Sequence, residues 1–192
     1  MRRLRVAWGI TGAGDQLVQT VEAMERVIEN PLVQVKTFAS RNAEIVIKWY
    51  KLWNRLQDKF GKVAVERGPN QPFIAGALQT GRYDLLFVSP ATANTTAKIA
   101  HGIADSLVSN CVAQAVKGGT PVYICPVDWR MGSLETEIPG GRRIRITTRR
   151  VDVQNVETVR SMEGITVLEH PGQIEAVVSS AIHKKRLEPY RA

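Results

Sequence analysis

The sequence predicts an α/β fold: a three-layer, doubly wound, mostly parallel sheet with a late β-hairpin insertion. Three observations carry this expectation. Short apolar runs recur at Leu4–Ile10, Leu32–Phe38, Leu85–Val88 and Pro121–Cys125, each too short for a buried helix. Segments of helical period lie between them, the alternation that builds a parallel sheet. A turn of small residues, Gly9 to Gly14, follows the first run, where a strand hands over to a helix. The length of 192 residues fits one domain, residues 1–192.

The elements follow in order. Leu4–Ile10 reads as a buried strand. Leu17, Val18, Val21, Met24 and Ile28 recur at helical spacing, with Asp15 expected as the N-cap and Asn30-Pro31 as the stop. Leu32–Phe38 is a second strand. Ser40 to about Phe60 reads as one helix with a stripe of Val46, Trp49, Tyr50, Trp53 and Leu56. Ile45, Ile47 and Leu52 lie off that stripe, which predicts deep burial or packing against another subunit. Val63–Glu66 is a short strand, 68–70 a loop and Phe73–Leu78 a short helix. Leu85–Val88 is too apolar for anything but a central strand. Ser89–Ala93 is a loop. Helices over Thr95–Ala104 and Ser106–Val116 follow, and Gly118-Gly119 ends the second. Pro121–Cys125 is the next central strand. Glu137–Thr148 alternates about Pro139-Gly140-Gly141 as a hairpin does. Thr166–Leu168 is a late strand and Pro171–His183 a final helix.

Composition narrows the function. Two cysteines, Cys111 and Cys125, exclude a disulfide scaffold and a four-thiolate zinc site. His101, His170 and His183 are spaced like no ligand set, so no metal is expected. No stretch approaches the length of a membrane span, and the basic start is not followed by a signal peptide. Both point to a cytoplasmic protein that binds no membrane. The net charge is +8, from 26 Lys and Arg against 18 Asp and Glu. Residues 2–5, 142–150 and 184–191 hold 12 of those 26 basic groups and one acid, Glu188. The rest of the chain, with 14 basic and 17 acidic residues, is mildly acidic. The charge therefore sits on tails and hairpin, not along a nucleic-acid groove. No RNP, KH or helix-turn-helix pattern is present, and nucleic acid ranks last among partners.

Ligands of open parallel sheets bind beyond the carboxyl ends of strands. Four such ends carry suggestive residues. Thr11, Gly12, Ala13 and Gly14 let backbone N–H groups approach a phosphate, but fit neither G-x-G-x-x-G nor the Walker pattern. Ser40, Arg41 and Asn42 place a hydroxyl, a guanidinium and an amide at a helix start; on this stretch alone an ordinary cap is the better explanation. Ser89, Pro90, Ala91, Thr92, Ala93, Asn94 and Thr95 follow the most apolar strand. They offer small polar groups and no nucleophile–base pair, which suits cradling a cofactor and not hydrolysis. Asp128 and Trp129 follow the next strand.

At this point a family resemblance appears. The run Pro90–Thr95, continued by Ala97–Asp105, resembles the flavoprotein family of homo-oligomeric flavin-containing cysteine decarboxylases. Gly9–Gly12 and Ser40–Ala43 match that family's other flavin-contacting stretches. The resemblance implies FMN, a Rossmann-like three-layer fold and homo-oligomers built from trimers. It implies that Gly12 to Gly14 approach the FMN phosphate, that Ser40 and Asn42 bond its phosphate or ribityl end, and that Thr92 to Thr95 contact the flavin. The chain departs from the family at Ala13, where a Ser is frequent. The decarboxylases' His would fall at Gly76, their Pro-Ala-Met-Asn motif is replaced by Pro126–Trp129, and no Cys follows Cys125. Decarboxylation of a peptidyl or pantothenoyl cysteine is therefore disfavoured.

A narrower subgroup matches better. Ala7–Gly12, Lys48–Leu52, Ala75–Gly81 and Met162–Gly164 resemble the dihydromethanopterin reductase and archaeoflavoprotein group. That resemblance implies reduction of a dihydropterin to the tetrahydro form in one-carbon metabolism, with NADH, NADPH or another reduced donor supplying electrons. The alternative is an FMN electron-transfer flavoprotein without a dedicated small substrate. Trp8 and Trp129 follow strand ends and are expected to line the substrate site. Asp128 is the candidate proton donor, with water as its competitor.

Overall fold

The computed structural model describes residues 3–187. Arg2 and Arg191, counted above among the basic tails, lie outside the described residues. The strands are β1 (Leu4–Ile10), β2 (Val33–Ala39), β3 (Ala64–Val65), β4 (Leu85–Ala91), β5 (Val122–Pro126), β6 (Ser133–Ile138), β7 (Arg142–Thr147) and β8 (Ile165–Val167). Six form one sheet in the order β3-β2-β1-β4-β5-β8, with every pair parallel. β6 and β7 pair antiparallel with each other, in a separate hairpin. From β1 the chain passes to β2 on one side and later returns to β4 on the other. Such a reversal opens a crevice at the carboxyl ends of the two central strands.

The α-helices are α1 (Leu17–Ile28), α2 (Arg41–Trp49), α3 (Trp53–Phe60), α4 (Ala75–Gln79), α5 (Ala93–Ala100), α6 (Leu107–Lys117), α7 (Arg150–Arg160) and α8 (Ile174–Leu187). The side-chain alternation of β1 divides the core into two. Val6, Trp8 and Ile10 pack with α1, α2, α3 and α8, while Ala7 faces α4, α5, α6 and α7. This gives helix, sheet and helix layers. β4 is buried along all seven residues, which is why its apolar run is unbroken. Gly9 has a packing reason: a Cβ there would lie 2.7 Å from the ring of Phe38.

The local structure departs from the sequence reading at four places. Asp15 does not cap α1; Gln16 does, with φ 58° and no side-chain cap bond. The single helix expected over 40–60 breaks after Tyr50. Lys51 turns left-handed at φ 58°, and Leu52 N–H reaches back to the Ile47 carbonyl at 3.0 Å. The turn buries Leu52 while α2 leaves Ile45 and Trp49 exposed. Ser89, Pro90 and Ala91, expected in a loop, complete β4 and are buried. Finally, α7 fills a stretch to which the sequence reading assigned no element; its Val156 and Val159 are buried against the sheet.

Candidate functional site

Three helices begin at the carboxyl edge of the sheet, and each is capped by a hydroxyl. Ser40 accepts the Ala43 N–H at 3.1 Å, starting α2. Thr92 accepts the Thr95 N–H at 3.2 Å, starting α5. Ser106 and Ser109 form a reciprocal capping box that starts α6. All three N-termini open on one cleft of about 460 Å³, which Gly12, Asn42 and Asn94 also line. Unpaired N–H groups and aligned peptide dipoles make such a convergence favourable for an anion. Gly12 is needed for the closeness of its wall. A Cβ there would stand 2.9 Å from Asn42 Cβ and 3.2 Å from its carbonyl carbon.

One anion is built in. The Glu66 carboxylate takes the Leu107 N–H at 2.7 Å and the Arg41 N–H at 3.3 Å, so it ties the starts of α6 and α2 together. Lys98 faces the same cleft and pairs with both oxygens of Asp105, at 2.8 and 2.9 Å. Some expected hydroxyls are spent on the fold. Thr11 Oγ1 donates to the Pro90 carbonyl at 2.8 Å and accepts the Thr92 N–H at 2.8 Å. Thr92 donates to Thr95 Oγ1 at 3.0 Å. The hydroxyl protons of Ser40 and Thr95 remain available. The amides of Asn42 and Asn94 have no hydrogen-bond partner among the described residues.

The structure thus brings Thr11, Gly12, Ser40, Asn42, Thr92, Asn94 and Thr95 to one cleft. Ala13, Ser89, Pro90 and Ala91 are buried instead of lining it, and Ala93 lies off its wall. Ser89 serves the core: its hydroxyl is 3.0 Å from Thr20 Oγ1, and its carbonyl accepts the Trp8 indole N–H at 2.7 Å. That bond corrects the reading of Trp8. It is fully buried, edge-on to Phe60, and does not line this cleft. Trp129 packs on the α4–α7 layer beneath the Arg130 guanidinium, 4.9 Å from the ring centroid. Glu66, Lys98 and Asp105 were not singled out from sequence. Glu66 ends an unremarkable short strand, and only its two backbone partners reveal its position.

A match to the Flavoprotein family spans residues 1–189. The chain belongs to that family. An uncharacterized protein of Methanocaldococcus jannaschii is 52% identical over 183 residues, covering 95% of this chain and 98% of that one. A dihydromethanopterin reductase (acceptor) of Methanosarcina mazei is 35% identical, covering 88% of this chain and 97% of the relative. That alignment runs over 233 residues, more than this chain has, so the relative carries segments absent here. Among solved structures, DmrB of Burkholderia xenovorans in complex with FMN, described as a cubic protein cage for redox transfer, superimposes with a TM-score of 0.79. It is 29% identical and the match covers 96% of this chain and 98% of DmrB.

Burial shifts several other titratable groups of this flavoprotein. Burial raises the Asp15 carboxyl above its ordinary range, opposed by a bond from the Gln16 N–H. Burial also raises Asp128, helped by the charges of Asp152 and Asp15 and opposed by Arg149 and a Thr148 bond. Asp128 lines neither the 460 Å³ cleft nor its neighbour described below. Burial pushes the Cys125 thiol up to about 12, and the group donates to Gln16 Oε1 at 3.3 Å. Cys111 is likewise buried and raised. Neither thiol is a nucleophile near neutral pH. No helix among the described residues is long and apolar enough to cross a membrane.

Proposed function

We propose that this flavoprotein is an FMN-dependent reductase that converts dihydromethanopterin, or a related dihydropterin, to the tetrahydro form. The observation that carries the reading is the cleft at the β1–β4 reversal. It joins three capped helix N-termini to free amide and hydroxyl donors. A phosphate dianion suits the α5 N-terminus and the Gly12 backbone, because Glu66 already occupies the amides of Arg41 and Leu107 and Asp105 already pairs with Lys98. A polyol chain suits Ser40, Asn42, Asn94 and Thr95. These residues, with Thr92, would hold FMN. Bound FMN supplies hydride chemistry, so the chain itself needs no nucleophile. Its own share is to hold the cofactor and leave room for a flat acceptor. Asp128 lines neither cleft, so water delivers the proton.

The named relatives support the substrate class, and DmrB supports the cofactor. The electron donor is a separate matter, since the Methanosarcina relative has segments this chain lacks. NADH, NADPH and a reduced ferredoxin are the donors to offer. A homo-oligomer built from trimers is part of the reading; exposed Ile45 on α2 supplies apolar surface for it. Anaerobic photometry tests the whole. Protein reconstituted with FMN should bleach with one of these donors and regain its yellow colour on adding dihydromethanopterin or dihydrofolate. Protein that takes up no FMN would sink the reading. Reoxidation by neither pterin would leave an electron carrier.

A further inference from the structure

A second cleft, of about 580 Å³, lies across the 11–16 loop from the first. Gly12 lines one cleft and Gly14 the other, so a narrow strip of backbone separates them. Its floor is Tyr50, whose ring lies so close to Gly14 that a Cβ there would meet it at 2.8 Å or less. Trp49 stands beside Tyr50, ring centroids 5.7 Å apart, and is 51% exposed. The hairpin forms the opposite wall, and the Tyr50 hydroxyl reaches it by donating to the Glu137 carbonyl at 3.4 Å. The size falls within the range of small-molecule sites, and the aromatic wall suits a flat ring.

The polar lining selects among flat ligands. Among the described residues of its lining, Asp15, Glu135 and Glu137 outnumber the single cation, Lys51. Asp15 is half-buried and has no side-chain or cationic partner among the described residues. An ionised carboxylate is an acceptor only, with room for two parallel donors. A 2-amino-4-oxopyrimidine edge offers that pair: a ring N–H beside an exocyclic amine. The nicotinamide and flavin rings present no such pair of adjacent donors.

We infer that this second cleft is the pterin subsite, with Asp15 receiving the amino-pyrimidinone edge and Trp49 and Tyr50 bordering the ring. The inference rests on the reductase reading but is separable from it. Asp15 fixes which heterocycle is accepted; the first cleft holds the cofactor. The 11–16 loop, serving both, sets the acceptor beside the cofactor cleft.

The test is equilibrium calorimetry on the FMN-loaded protein with pterin and with lumazine, in which the 2-amino group is replaced by oxo. Loss of charge-assisted bonds of this kind predicts a preference for pterin of roughly 10- to 100-fold. Asp15→Asn should abolish the preference while FMN content stays at the wild-type level. Trp49→Ala, at an exposed position that folding tolerates, should weaken both ligands and leave their ratio unchanged. Equal binding of the two by wild type, no binding of either, or a preference surviving in Asp15→Asn overturns the subsite. So does unchanged affinity in Trp49→Ala, which decides the matter if Asp15→Asn does not fold. A wild-type pterin preference without reoxidation by dihydropterin would instead overturn the reductase reading and leave the subsite standing.

Discussion

Trp8 and Gly12 lie four residues apart on one strand and its turn, yet they serve different ends. The Trp8 indole N–H is committed to the Ser89 carbonyl at 2.7 Å in a fully buried setting. Trp8→Phe should therefore cost about 1–3 kcal/mol through an orphaned carbonyl. Chemical denaturation reads that loss, and FMN affinity and pterin KM should stay as in wild type. Gly12→Ala should do the reverse of sparing the site. Its Cβ would collide with Asn42 at the start of α2, at about 1–3 kcal/mol of overpacking, and the flavin-to-protein ratio after gel filtration should fall. Asn94→Ala, which removes an unspent amide from the cleft, should weaken FMN about tenfold without a change in melting temperature.

Asp128 makes a prediction with a definite sign. Its folded carboxyl titrates above the ordinary value of 3.8, chiefly through burial. Between 3.8 and that raised value the folded chain keeps a proton that the unfolded chain has released. Stability should fall as pH rises through this window, and Asp128→Asn should flatten the slope. Asp152 works oppositely. Its bonds from Arg149, at 2.7 and 2.8 Å, hold it below its ordinary range. The stability it contributes is present above the ordinary value and lost as pH falls through its folded value. Urea midpoints across acid pH separate the two; an unchanged slope in Asp128→Asn would contradict the account.

At the scale of elements, the sheet was legible and its junctions were not. The apolar runs of β1, β4 and β5 have one reading because no helix is that short and that apolar. The break at Lys51 was hidden because apolar residues continue on both sides of it, so a helical stripe can be drawn through Trp49 and Tyr50 although the buried side chains are Ile47 and Leu52. α7 was hidden because its apolar anchors, Val156 and Val159, are few and its other buried residues, Asp152 and Asn155, are polar. The hairpin was legible from Pro139-Gly140-Gly141, and its register pairs Glu135 with Arg145 and Glu137 with Arg143. Two strands alone are marginally stable. Hydrogen exchange should find its amides far less protected than those of β4, and protection equal to β4 would contradict an arm without sheet support.

At the scale of the whole molecule, a turn sequence says that small groups gather, and the strand order says where. Gly12, Ser40, Asn42, Thr92, Asn94 and Thr95 were visible as candidates because each sits at a strand end or helix start. Glu66 was not, since its role comes from elements distant in sequence that the fold brings together; Lys98 and Asp105 are only seven residues apart, and no pattern in the sequence marked their pairing. The split of one expected site into two clefts also needed the fold. The loop that carries Gly12 and Gly14 has a face on each. The central claim is that this pair of clefts passes hydride to a dihydropterin. The most direct measurement is a single turnover that needs no natural donor. FMN-loaded protein is reduced chemically without oxygen, freed of reductant and mixed with dihydromethanopterin. The account predicts one equivalent of tetrahydromethanopterin per flavin as the yellow colour returns; a flavin that stays reduced, with the dihydropterin recovered intact, would contradict it.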